Sequence, residues 1–523
     1  MTKTTKSIVG GMTVLGMTGI ICKLVGVLFS IPLTWLIGAD GLSIFQSVFP
    51  TYNLLLTVSS AGLPVAISRM VSHCLAKDDP RGAKRVFKSA LWMLTGLGCL
   101  CTLIMLVGSQ QLAVIVDEPY SIKGFLVIAP CVAFVCILSA FRGFMQGQQN
   151  MVPTAMSQLI EQVGKVFISL PLAYLGSRIG IAEGAAGALL GITVVEAAAL
   201  LYMIVLYLRR RHAFDSIPQL SNAVPDSSLK TASTLMKISI PITISACIVP
   251  LAQFVDSAML VSRMMDSGLT REMARPLYGL YSGMVIRLIN IPTALALAVS
   301  MSLVPAISSA KATEDYEGIR RQSDLGLRFA FLIGFPCSIG MSLLAREIIA
   351  FFYAGTLTAD QLTVSSELLT FSALTVVLFT VVQATSSILQ GLGKQRIPMY
   401  TLVAGVGCKI ALNYILVGTP GINIHGAPIS SIVCYAVSMV PNLYYCMKYG
   451  KMKFNWMGWV IRPAAATAVM GVVVWLSRCI LPLNRFTTLL EIAVGVAAFI
   501  AAALAFKAVS VSDFTALRRR GRA

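Results

Sequence analysis

The sequence predicts an all-α integral membrane protein of about 14 transmembrane helices: two pseudo-symmetric six-helix lobes followed by two C-terminal helices. Three observations carry this expectation: composition, the length of the apolar runs, and an internal repeat. Of 523 residues, 56% are hydrophobic and 12% charged, against about 25% charged in soluble domains. Mean hydropathy is +0.80. Soluble hydrophobic cores stop growing at roughly 250–300 residues, so the surplus apolar surface has to face lipid.

A bilayer-spanning helix needs about 20 apolar residues. Fourteen runs qualify, at residues 10–37, 43–72, 88–115, 122–145, 153–176, 182–208, 237–263, 278–309, 326–354, 364–390, 397–418, 426–447, 457–481 and 487–509. The first is too long for the roughly 7–15-residue core of a cleavable signal peptide. The net charge is +19, and its position argues against nucleic acid. Most of the 41 Lys and Arg residues lie in loops on one side. They include Lys77 to Lys88, Arg209-Arg210-Arg211, Lys311 to Arg321, Lys448 to Lys453 and Arg518-Arg519-Arg520. The bias orients both termini to the cytoplasm. The longest loop, about residues 209–237, is too short for a catalytic domain. The expected organisation is an N-terminal lobe 1–208, a cytoplasmic linker 209–236, a C-terminal lobe 237–450, and a final segment 451–523 carrying spans thirteen and fourteen and a basic tail. The 12 cysteines lie mostly inside apolar runs, where they act as small hydrophobes. No CxxC spacing occurs, so neither a metal site nor a disulfide framework is expected.

The halves resemble each other. Leu63-Pro64-Val65-Ala66-Ile67-Ser68 ends span two and Leu303-Val304-Pro305-Ala306-Ile307-Ser308 ends span eight. Gln146-Gly147 and Lys165 recur as Gln390-Gly391 and Lys409, both 244 residues later. Each half holds an even number of spans, so the repeat is parallel, an arrangement that transporters use to alternate access to a midplane site. Pro64, Pro292 and Pro305 interrupt spans two and eight and are the expected hinges; simple packing is the blander account of each.

A charge at mid-bilayer costs at least about 2.5–3.5 kcal/mol and therefore faces a cavity or a partner. Lys23, Glu161, Lys165, Glu196, Asp256, Arg287 and Lys409 lie deep in spans. Glu161 and Lys165 share a helical face, acid first, so a self-paired salt bridge competes with a ligand-facing role. Gln158 and Gln162 widen that stripe, and Lys409 with Asn413 forms its shorter counterpart. Polar stripes in related helices suggest surfaces facing a common cavity. Lys23 and Arg287 have no acid one turn away in their own helices; each is expected to meet either an acid from a neighbouring helix or an anionic group such as a pyrophosphate.

The segment from Phe141-Arg142-Gly143-Phe144-Met145-Gln146-Gly147 through Gln158-Leu159-Ile160-Glu161-Gln162-Val163 resembles the signature around spans four and five of the stage V sporulation protein B and MurJ-type lipid II flippases. Ala61-Gly62-Leu63-Pro64, Ile291-Pro292-Thr293-Ala294 and the fourteen-span layout resemble the same family, over nearly the whole chain. These proteins belong to the multidrug/oligosaccharidyl-lipid/polysaccharide exporter superfamily, which includes the MATE exporters. The resemblance implies an alternating-access flippase that exports an undecaprenyl-pyrophosphate-linked sugar, carrying a peptidoglycan precursor or another surface glycan, across a bacterial plasma membrane. It implies that Lys23, in Cys22-Lys23-Leu24-Val25-Gly26, stands where relatives carry arginine against the pyrophosphate, with Arg287 as a second cation. Lysine loses the bidentate geometry of arginine. It also implies Asp256 and Asn413 as candidates for an ion-coupling site, although span eleven here has no acid. The expected substrate-binding set is therefore Lys23, Arg287, Glu161, Gln162, Lys165, Lys409 and Asn413, with Asp256 as the ion-coupling candidate and no catalytic residue, cofactor or metal.

The expected partners are the lipid-linked oligosaccharide, membrane lipids and cell-wall synthesis enzymes, with the chain acting as a monomer and binding no nucleic acid. Two other functions compete: a multidrug/cation antiporter of the same superfamily, and a non-transporting scaffold of wall synthesis. A membrane acyltransferase reading of His73-Cys74-Leu75-Ala76-Lys77-Asp78 rests on two fixed positions, a pattern that chance often supplies.

Overall fold

The computed structural model describes residues 3–215, 228–480 and 484–508. Residues 216–227 of the linker and the tail with Arg518-Arg519-Arg520 lie outside them, as does the side chain of Lys23. Among the described residues every regular element is helical. The chain forms two compact units, Met1–Gly283 and Met284–Ala523. That packing boundary lies one span beyond the repeat boundary, because the seventh span packs on the first three.

The first unit contains α1 (Lys3–Ser60), α2 (Leu63–Ala76), α3 (Pro80–Val107), α4 (Ser109–Ile115), α5 (Ile122–Gly147), α6 (Val152–Gly164), α7 (Leu170–Ser177), α8 (Ile181–Asp215), α9 (Ser228–Asp266) and α10 (Arg271–Tyr278). The second contains α11 (Ile286–Ala312), α12 (Tyr316–Leu343), α13 (Ala345–Tyr353), α14 (Ala359–Ser372), α15 (Leu374–Gly391), α16 (Arg396–Val417), α17 (Gly426–Gly450), α18 (Arg462–Ile480) and α19 (Arg485–Ala505). Thirteen stretches are long and apolar enough to cross a membrane. The first, Leu28–Ala76, has 49 residues. At 1.5 Å per residue it is about 74 Å long, more than twice the roughly 30 Å hydrocarbon thickness, so it holds two crossings. The break falls at Gly38, whose φ of 64° glycine adopts without strain. Because α1 begins at Lys3, the helix before the break is about 53 Å long and supplies the first crossing, and dividing at Gly38 recovers the expected fourteen. Spans three and nine are shorter than the sequence suggests. They end at Val107 and Leu343, and the apolar residues that follow form the separate short helices α4 and α13.

The repeat is visible in the turns. Asp79 caps α3 by accepting from Gly82 N at 2.8 Å, and Asp315 caps α12 by accepting from Gly318 N at 2.8 Å. Such caps satisfy an orphan amide of the first turn. The preceding residues, Asp78 and Glu314, have φ of 55° and 54°. The turn after span four places Gln149 at φ 61°, and the turn after span ten places Gly393 at φ 72°.

Glycines of the repeated Gln-Gly motif set the helix spacing. A Cβ on Gly147 would meet Val71 Cβ at 2.6 Å and Ser68 O at 3.0 Å. A Cβ on Gly391 would meet Ile307 Cβ at 2.8 Å and Val304 O at 3.1 Å. In both halves the motif glycine lets α5 or α15 rest on the backbone of the Pro-Ala-Ile-Ser-type helix. Overpacking of a dense interface costs typically about 1–3 kcal/mol. Gly147→Leu and Gly391→Leu are each expected to lower the monodisperse fraction on size-exclusion chromatography and the thermal midpoint, whereas Gly96→Leu, with open space around it, changes neither.

The prolines behave differently from one another. The helix is interrupted at Ala61-Gly62, directly before Pro64 in the first turn of α2. The freed Gly62 amide donates to Thr243 Oγ1 of α9 at 3.1 Å. Pro292 and Pro305 lie inside the continuous α11. In the second unit, Ile307, Leu327, Ile388, Leu389 and Trp459 share one core. Trp459, in the π-helical turn before α18, donates from Nε1 to Asp324 Oδ1 of α12 at 2.7 Å. This bond and its packing seat span thirteen on α12.

Candidate intramembrane charge cluster

Span five bends out of α-helical geometry where its polar stripe ends. Residues Lys165–Ser169 form a π-helical turn between α6 and α7. Pro171 follows one turn later and cannot donate to the carbonyl four residues back, so the widened turn precedes the proline. Such π-bulges concentrate at functional sites.

The ion pairs of this stripe run between helices, although Lys165 N–H donates to Glu161 O and the backbone between the two residues is α-helical. Glu161 and Lys165 do not pair with each other; each takes a partner on another helix. Arg142 of α5 donates from Nη2 to Glu161 Oε1 and from Nε to Ser157 Oγ at 2.9 Å. Ser157 in turn donates to Thr154 O at 2.8 Å. One guanidinium thus clasps two successive turns of α6. Lys165 Nζ lies 3.9 Å from Glu196 Oε1 of α8, at the outer limit of an ion pair. The Arg142 and Glu161 side chains are 14% and 11% exposed, those of Lys165 and Glu196 17% and 6%. Glu196 Oε2 is buried without a hydrogen-bond partner. The two carboxylates interact electrostatically.

Span one covers the stripe. Cys22 Sγ contacts Gln158 O at 3.6 Å and is within electrostatic reach of Glu161, Lys165 and Arg142. A Cβ on Gly26 would lie 3.6 Å from Gln162 Oε1. The backbone positions that bracket Lys23 therefore lie on the Gln158–Gln162 stripe. Of the expected site, Glu161, Gln162 and Lys165 come together here against span one. Asp256 is half-buried on α9 of the same unit. Arg287, Lys409 and Asn413 belong to the second unit. Arg287 is within electrostatic reach of Tyr353 on α13. Lys409 is half-buried, and Asn413 is fully buried, accepting from Ser430 Oγ of α17.

Sequence reasoning missed Arg142. It lies near the end of its span, where a cation reads as a loop residue, and nothing in its own helix pairs with it. The one available signal was its place in the long motif that also contains Ser157 and Glu161. Glu196 was legible as a deep charge but had no visible partner.

The comparisons with known proteins bear on the family and the fold. The family model described as polysaccharide biosynthesis protein matches residues 8–311, and the MatE model matches residues 281–415. The chain is 26% identical over 429 residues to stage V sporulation protein B of Bacillus subtilis (strain 168), covering 81% of this chain and 80% of that protein. It is 24% identical over 449 residues to lipid II flippase MurJ of the same organism, covering 82% and 80%. In three dimensions it resembles a lipid II flippase MurJ in an inward closed conformation, with a TM-score of 0.70 at 13% identity over 94% of this chain and 98% of that one. The fourteen crossings, the duplicated turns and a family match over more than half of the sequence lead to one assignment: the chain belongs to the polysaccharide biosynthesis protein family, as a multi-pass membrane protein with the fold of the flippase and multidrug exporter superfamily.

Proposed function

We propose that this protein is an alternating-access flippase that exports an anionic, undecaprenyl-pyrophosphate-linked sugar across a bacterial plasma membrane, with both termini in the cytoplasm. The observation that carries the reading is the intramembrane cluster of Arg142, Glu161, Lys165 and Glu196 beside the span-one motif. Four ionisable groups, held by three helices at a π-bulge, cost too much to maintain as passive packing. The similarity to a lipid II flippase and a sporulation protein supports the substrate class. In this reading Lys23 and Lys165 attract the head group, Arg142 holds Glu161 away from it, and the six-span lobes with their two-span appendix supply the moving parts. Arg287 is the candidate cation of the second unit. The reaction moves a lipid and breaks no covalent bond.

The test is head-group translocation in proteoliposomes loaded with undecaprenyl-pyrophosphate sugars. A charge-assisted hydrogen bond contributes about 1.5–3 kcal/mol, so Lys23→Ala and Lys165→Ala are each expected to slow transport roughly ten- to a hundredfold. Arg287→Ala tests the second unit separately. Unchanged rates in folded Lys23→Ala and Lys165→Ala proteins would remove both cations from the transport path. The MatE match over residues 281–415 supports a second reading: efflux of cationic drugs with no movement of the lipid would select the multidrug exporter.

A further inference from the structure

A second charge cluster lies at one end of the second unit, where α12 gives way to α13, α18 ends and α19 begins. Glu347 of α13 and Glu491 of α19 are each 4% exposed. Arg478 of α18 donates from Nη1 to Leu343 O at 2.7 Å, and its Nη2 lies 2.8 Å from Glu347 Oε1. Glu491 is within electrostatic reach of both Glu347 and Arg478. The second oxygen of each carboxylate, Glu347 Oε2 and Glu491 Oε2, is buried without a hydrogen-bond partner. An uncompensated buried charge is strongly destabilising, and an orphaned carboxylate oxygen adds its own desolvation cost. Among the described side chains, two buried carboxylates stand near one guanidinium, and two acceptor atoms are left over. A cavity of about 350 Å³ lies against Arg478, lined also by Leu343, Ala345, Arg346 and Glu367.

We propose that Glu347, Glu491 and Arg478 form a binding site for one monovalent cation, a proton or a sodium ion, which fastens the last two membrane helices to the α12–α13 junction. Either ion supplies a positive charge. A proton would bridge the two carboxylates; sodium would take the two free oxygens. The site is separate from Asp256 and Asn413 and does not depend on the transported substrate. Among the described side chains, the other ionisable groups beside it are Arg346 and Glu367 on the cavity wall, with His425 3.1 Å from Glu367. They are unchanged in the variants below, so they cancel in the comparison.

The experiment uses the full-length protein in detergent micelles. Its thermal midpoint is followed against sodium chloride, with choline chloride at matched ionic strength, and against pH. Its infrared spectrum is recorded at neutral pH. If sodium binds, the wild-type midpoint rises by several degrees with sodium but not with choline. If a proton is bound, the neutral-pH spectrum shows a protonated carboxylic acid and the midpoint rises on acidification. Glu491→Gln neutralises the cluster and is expected to abolish whichever response the wild type shows. Glu347→Gln, which leaves the Arg478–Glu491 interaction, should do the same if Glu491→Gln folds poorly. Glu272→Gln, which removes an exposed carboxylate of the first unit, should keep the wild-type response. A wild type with no sodium response, no protonated acid and the same pH profile as the glutamine variants overturns the proposal.

Discussion

Arg142→Ala is expected to leave little folded protein. The substitution strands Glu161, 8% exposed, inside the membrane with its guanidinium gone. Breaking a buried pair by removing one partner costs about 3–5 kcal/mol, equivalent to more than a hundredfold in the folding equilibrium. The size-exclusion profile and thermal midpoint in detergent read the loss directly. Combining Arg142→Met with Glu161→Gln removes both charges and keeps similar volumes, and is expected to recover the folded fraction, since apolar replacement of a buried pair is often neutral or stabilising. Transport by the double variant separates two roles. Folded but inactive protein places the pair in the transport cycle; folded and active protein makes it a fastening of α5 to α6.

The second large effect lies at the ends of two spans, where the α4–α5 connection meets α10. Arg275 Nε donates to Glu118 Oε2 at 2.6 Å, with the glutamate side chain 1% exposed. The Arg275 guanidinium also sits 4.8 Å from the centre of the Tyr120 ring. Beside this pair, Arg271 and Asp117 make a more exposed one at 2.5 Å. Removing Arg275 should therefore cost about 3–5 kcal/mol, and removing Arg271 no more than about 1 kcal/mol. The first cost depends on pH. Burial pushes the Glu118 carboxyl above its ordinary range, and Arg275 offsets only part of that. The folded state thus holds this proton more tightly than the unfolded chain, so the contribution of Glu118 to stability is complete at acid pH, below the ordinary glutamate range. It is lost as pH rises through the raised folded value. Arg275→Ala should be most destabilising at neutral pH and recover towards the wild type on acidification, while Glu118→Gln shows no such slope. Thermal midpoints from about pH 4, just below the ordinary glutamate value, up to about pH 8 decide it. An Arg275→Ala deficit that does not change with pH would assign its effect to the lost Tyr120 contact.

The site was legible in the sequence only in part. The cost of placing Glu161, Lys165 and Glu196 in a span marks them without any structure, since insertion energies belong to single helices. Pairing is different. An i,i+4 spacing places Glu161 and Lys165 on one face, and the backbone between them is α-helical, yet both side chains reach partners on other helices. Arg142 escaped notice for the same reason: its partners are 15 and 19 residues away on the next helix. Gly38 was read as a loop residue and is instead the break inside one long apolar stretch, because a single glycine at positive φ turns the chain without a polar segment.

By itself the sequence determined the membrane class, the number of crossings and the duplication. Each of these follows from hydropathy and local turn chemistry, which act over one helix or one loop. Tertiary structure alone decided which charges meet. It joined Arg142 to Glu161, Lys165 to Glu196, Arg275 to Glu118, and Arg478 to Glu347 beside Glu491. Ion-pair choice depends on the rotation and spacing of helices distant in the chain. Close packing of the kind seen at Gly147, where α5 rests on α2, and at Gly391, where α15 rests on α11, sets helix spacings to within an atom's width, and no local pattern in the sequence encodes the ion pairs that result.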